Sequence, residues 1–207
     1  SGGRGFGACR PRVVTSTGAC SQRWLSISLS KPEGYEGDDD IMTDASAFIP
    51  HRGAMLLISA VRDVSVDSWD DASGRAGPIA ETVHDVTLDE PCYAQWGLTE
   101  GPWPRMLMTE FLGQTAALLC ACANAGRTDQ SPLFARAENA VFLGDAFPKD
   151  RVIGRATIER TIGPASFVRA SARVGDRVLC TIDLATIFHI EKSGTSRTRT
   201  TKERHHE

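Results

Sequence analysis

The sequence predicts an α+β domain in which a curved antiparallel sheet wraps around one long helix, and three observations carry that prediction. The stretch 102–123 has helical character and is apolar in nearly every direction around its axis. Extended segments stand on both sides of it in the chain, two before and several after. In the last pair, Phe167, Arg169, Ser171 and Arg173 alternate with Val168, Ala170, Ala172 and Val174, the period of a half-buried antiparallel strand. A helix apolar all round must be enclosed by protein or by lipid. A membrane span is the competing reading. It fails because the run is only marginally long enough and carries Glu110 and Gln114 near its beginning, which hydrocarbon penalises. Enclosure by a sheet is what is left, and the order strand, strand, helix, strands gives the α+β class.

Taken in order, the segment 54–67 (AMLLISAVRDVSVD) is apolar and then alternates, a strand entering the core and emerging from it. After the turn at Asp70 and Asp71, the segment 74–88 (GRAGPIAETVHDVTL) gives a second, weaker strand. The pattern changes to helix from Pro102, with Pro104 suited to the first turn, apolar positions to Ala123 and Gly126 as the stop. Extended segments follow at 131–147 and 151–163, then the pair 165–174 and 176–190, joined by a turn at Gly175 and Asp176.

At 207 residues the chain is long enough for one sizeable core. Its 41% apolar and 24% charged fractions are those of a globular protein, and a net charge of −3 does not invite nucleic acid or an anionic membrane. No alternation of basic and aromatic residues offers a base-stacking platform. The six cysteines are scattered, with no C-x-x-C and no His at ligand spacing, so neither a zinc site nor a redox motif is expected. Reduced thiols and the lack of a secretory apolar segment give an expected cytoplasmic location. Residues 1–41, rich in Gly, Ser and Arg, are expected to be a leader or a non-native extension, with a transit peptide as the alternative. The domain is expected over 42–190, and the polar, basic stretch 191–207 as a disordered tail.

Glu110 is the one carboxylate inside the apolar helix, and Gln114 follows it at i+4, one turn on. A carboxyl buried among Met106, Leu107 and Phe111 would have its neutral form favoured by desolvation, as a proton donor requires. The structural alternative is an orphan carboxyl held by Gln114 and water.

Four stretches together resemble the hotdog-fold β-hydroxyacyl-acyl-carrier-protein dehydratases. FIPHRGAMLLISAVRDV is similar to the family's opening, VTLDEPCYAQW to the strand and turn that present its catalytic histidine, MLMTEFLGQTAALL to its central-helix motif, and ENAVFLGDAFPKDRVIG to its third block. The resemblance spans about residues 47–190 in the family's order. It implies a hotdog domain, at least dimeric, acting on acyl chains held as thioesters in fatty-acid or polyketide synthesis. Counted without gaps, the family's glutamate falls on Glu110 and its glutamine on Gln114, while the position of its catalytic histidine holds Trp96. An indole N–H donates only and takes up no proton in this pH range, so Trp96 cannot act as the base. The glycine that opens the family's helix is Arg105 here.

The resemblance implies that Glu110 is the acid for the departing hydroxyl, with Gln114 bonding it or that hydroxyl. Trp96, Gly97, Met106 and Phe111 are expected to line the acyl site. Because the family builds each site across a two-fold axis, a chain with the acid and no base is expected to pair with a related His-bearing hotdog subunit, or else with its own copy. Acyl carrier protein is the implied partner, the substrate being carried on its phosphopantetheine or on that of CoA; no metal and no other cofactor is expected. Arg52, Arg105 and Arg136 are candidate contacts for that acidic partner. His51 is expected to be a structural hydrogen-bonder and His84 to be solvated on its strand; His189 ends the last strand and Cys92 packs as a small hydrophobe. Two other readings stay open: a hotdog thioesterase using Glu110 without a histidine, and a non-catalytic carrier-protein-binding subunit.

Overall fold

The structure, a computed structural model, describes residues 44–66, 77–95, 97, 99–124 and 130–191. The expected leader and all but the first residue of the expected tail lie outside the described residues. The elements run β1 (Ala60–Ser65), β2 (Ile79–Asp85), α1 (Pro91–Ala94), α2 (Arg105–Ala123), β3 (Gln130–Phe142), β4 (Arg151–Ile162), β5 (Ala165–Val174) and β6 (Arg177–Glu191). All strands join in one antiparallel sheet of order β1-β2-β4-β5-β6-β3. The helix α2 packs across its concave face and touches β2, β3, β4, β5 and β6. This is the hotdog architecture that the sequence predicts.

Register shifts give the sheet its curvature. They interrupt β1·β2 at Val61/Asp63, β4·β5 at Ile158/Arg160 and β3·β6 at Phe134/Arg136, and each inserted residue bends its strand and increases its twist. By length and composition α2 could cross a membrane, but here the sheet takes that burial instead. Phe111, Leu112, Ala116, Leu118 and Leu119 are all fully buried in the shared core. Each large side chain so enclosed contributes about 1.5–3 kcal/mol. Close approach of helix and sheet depends on Gly154 of β4, where a Cβ would stand 2.7 Å from the Phe111 ring.

Two local differences from the predicted elements have a physical cause. The first strand begins at Ala60 rather than at residue 54, after a 3-10 turn over Gly53–Met55. The backbone of Leu57 is bonded instead by side chains, its N–H to Gln114 and its carbonyl to His84, so it cannot join a ladder. Pro104 serves as the N-cap of α2 rather than lying within its first turn. The helix ends at Ala123 as predicted, and Asn124 closes it by donating from backbone and side chain to the Cys120 carbonyl.

Candidate active site

The helical spacing of Glu110 and Gln114 puts both side chains on one face of α2, toward the loop between residues 51 and 58. The Gln114 amide is fully used. Its Oε1 accepts from the Leu57 N–H at 2.9 Å, while its Nε2 donates to the Met55 carbonyl at 2.7 Å and to Glu110 Oε1 at 2.9 Å. The amide is buried and its orientation is fixed, because only the oxygen can accept from Leu57. A second group converges on the same carboxylate oxygen: His51 Nε2 lies 3.1 Å from Glu110 Oε1. No hydrogen bond among the described residues occupies Oε2.

Glu110 is therefore a carboxyl held at one oxygen and open at the other. Its side chain is 30% exposed, short of the enclosure that the sequence reading expects. The cause is Met106, one turn earlier, which is 79% exposed and does not cover the carboxyl, contrary to expectation. Phe111 points the other way, into the core, at 0% exposure. Gly97 is exposed, with φ +62, a left-handed conformation that glycine adopts freely. Trp96 lies outside the described residues.

Beneath this pair runs a second polar cluster. His84, expected to be solvated, is in fact buried at 5% exposure, because Trp103 covers its ring. Its Nδ1 lies 2.6 Å from the Leu57 carbonyl, which only accepts, so Nδ1 carries the hydrogen. The other nitrogen, Nε2, stands 3.3 Å from Glu90 Oε1, within ion-pair reach but without hydrogen-bond alignment. Glu90 also accepts from the Thr87 N–H and from the Trp103 indole, each at 2.9 Å. Burial opposes the Glu90 charge and is the largest single influence; the contacts with His84, Thr87 and Trp103 outweigh it and hold the carboxyl below its ordinary range. A polar chain thus runs from Glu110 through Gln114, Leu57 and His84 to Glu90 at the head of α1. Pattern reading missed this cluster, since no spacing along the sequence joins positions 84, 90 and 103.

Cys92 is half-buried, its thiol pushed up by burial and then by the Glu90 charge. His189 packs inward, within reach of Ser166 at 3.0 Å and Asn124 at 3.4 Å, well away from Glu110 in the bonding pattern. The three arginines proposed for docking are all exposed and engaged within the chain. Arg52 donates to the Ile49 and His51 carbonyls, Arg105 pairs with Asp145 at 2.9 Å and lies over the Phe142 ring, and Arg136 is 3.3 Å from Glu138. Among the described residues no group of three or more His, Cys, Asp and Glu is placed to hold a metal.

One antiparallel sheet wrapped around a single buried helix defines the hotdog class. The chain belongs, within that class, to the 3-hydroxyacyl-[acyl-carrier-protein] dehydratase FabZ family. The relative from Cupriavidus taiwanensis is 30% identical over 138 residues, covering 66% of this chain and 85% of the relative. That from Haemophilus ducreyi is 25% identical over 144 residues, covering 69% and 87%. No protein-family model matches the chain. Among solved structures, the dehydratase heterocomplex ApeI:P from Xenorhabdus doucetiae has a similar fold, with a TM-score of 0.57 at 14% identity over 73% of this chain and 94% of that one.

Proposed function

We propose that this chain is the Glu-bearing subunit of a heteromeric 3-hydroxyacyl-acyl-carrier-protein dehydratase of fatty-acid or polyketide synthesis. The observation that carries the reading is Glu110, anchored at Oε1 with Oε2 open, in a chain whose family position for the histidine holds Trp96. Dehydration breaks the Cα–H bond next to the thioester and the C–O bond at C3. It needs a base for the α-proton and an acid for the departing hydroxyl. Glu110 supplies the acid from Oε2, and Gln114 fixes its rotamer. The base is the imidazole of a second hotdog subunit, brought to the place that Trp96 cannot serve. The thioester itself acidifies the α-proton, so the chemistry calls for no cofactor beyond the phosphopantetheine that carries the acyl chain.

The edge strand β3 supports a second subunit. Among the described residues only its β6 side is paired, and Leu133, Val141 and Leu143 are exposed on or beside it. A 13-residue unpaired edge with apolar side chains is a template for another strand. The Xenorhabdus neighbour is a dehydratase heterocomplex, in keeping with such pairing.

The test is turnover of a 3-hydroxyacyl carrier protein, followed by mass spectrometry as loss of water. The purified chain is expected to be inactive and co-expression with a His-bearing hotdog protein to restore turnover, which Glu110→Gln then abolishes. Unchanged turnover in that variant would sink the reading. Thioester hydrolysis by the chain with no partner would favour a thioesterase. Carrier binding without any turnover, intact in Glu110→Ala, would favour a docking subunit.

A further inference from the structure

The contact between His51 and Glu110 joins a loop to a helix 59 positions away. We infer that His51 is the proton-reloading and positioning partner of Glu110, so that this chain carries an acid–base pair of its own. The inference rests on the dehydratase reading above and deepens it. His51 Nε2 and Gln114 Nε2 meet the same carboxylate oxygen, at 3.1 and 2.9 Å, which leaves Oε2 without a hydrogen bond among the described residues. The two contacts differ in kind: Gln114 donates a hydrogen bond, while His51 stands at ion-pair distance. The Gln114 amide cannot give up a proton, whereas an imidazole exchanges one in the working pH range. The ring is anchored at its backbone, where the His51 carbonyl accepts from Arg52, and 28% of its side chain remains open to solvent.

The cycle leaves Glu110 in need of a proton. Glu110 gives its proton from Oε2 to the C3 hydroxyl, the C–O bond breaks with its electron pair leaving on oxygen, and water departs. The carboxylate must then be reloaded while the partner's imidazole, which took the α-proton, loses it to solvent. The imidazolium of His51 passes its Nε2 proton to Oε1: the N–H bond breaks, the O–H bond forms, the ring is left neutral with its remaining hydrogen on the buried Nδ1, and Nε2 takes a proton back from water before the next turnover. No net proton is gained or lost over the cycle. The charged groups around the pair do not compete for this role. Arg52 is turned onto two carbonyls, Arg105 is paired with Asp145, and His84 and Glu90 lie beyond Leu57, bonded to each other's surroundings.

The experiment measures turnover against pH for the active assembly carrying His51→Ala or His51→Gln. Both variants are expected to keep KM and to lose kcat toward the lower end of the roughly 10²–10⁴ that a proton-transfer group contributes. Added imidazole should restore His51→Ala and leave Glu110→Gln inactive, an outcome that a merely structural His51 would not produce. A kcat and pH profile equal to those of the unaltered assembly would overturn the inference while leaving the dehydratase reading intact. Failure of the unaltered assembly to turn over would overturn that reading instead. The pairing itself is then decided by ¹⁵N spectra of the free chain: His51 should be protonated at Nε2, with that signal displaced in Glu110→Ala. A ring indifferent to Glu110 would end the case.

Discussion

The Trp103 indole lies stacked on the His84 imidazole, ring centroids 4.3 Å apart and planes 22° from parallel, while its N–H donates 2.9 Å to Glu90. Both rings and the carboxylate are thereby locked in the layer beneath Glu110, and the folded state has a reason to keep Glu90 ionised.

That reason has a sign. The Glu90 carboxyl is held below its ordinary range in the fold, so the stabilisation it gives is fully present above the range of an unfolded glutamate, around pH 4.3. It is lost as pH falls through the lower folded value. Urea unfolding at stepped pH should show the wild-type chain losing stability on acidification. Glu90→Gln should be less stable at neutral pH and flatter across the acid range. Parallel curves for the two proteins would count against the network.

Gly154→Ala places a Cβ 2.7 Å from the Phe111 ring and 3.0 Å from the Thr115 hydroxyl. The helix must move from β4 or Phe111 must leave its rotamer, a strain of about 1–3 kcal/mol. Thermal or denaturant unfolding should register that loss, and adding Phe111→Leu should recover part of it.

Gln114→Leu removes three hydrogen bonds and leaves the Leu57 N–H, in a buried segment, without its acceptor. A buried donor so orphaned costs about 1–3 kcal/mol. The same change frees Glu110 to rotate, so activity in the assembly should fall further than stability does. Equal stability of variant and wild type in chemical denaturation would refute the anchoring role.

Arg105→Ala deletes an exposed pair with Asp145, and surface pairs of this kind are weak. No measurable change in unfolding midpoint is expected. If Arg105 also meets an acidic carrier protein, titration should show weaker binding, with the difference shrinking as salt is raised. Identical carrier affinities at low salt would remove Arg105 from the docking surface.

By itself the sequence determined what depends on short-range pattern. The end of α2 at Ala123, the alternation of β5 against β6 and the i+4 relation of Glu110 to Gln114 are all set by residues within a few turns of one another. Tertiary structure decided the rest, because it depends on which distant surfaces meet. Alternation along β2 could not foretell that Trp103 would cover the His84 face, nor could an apolar run foretell that Met106 would lie outside the wrap. Above all, a motif position could mark Glu110, but only the folding of a loop onto a helix gave it His51 for a neighbour.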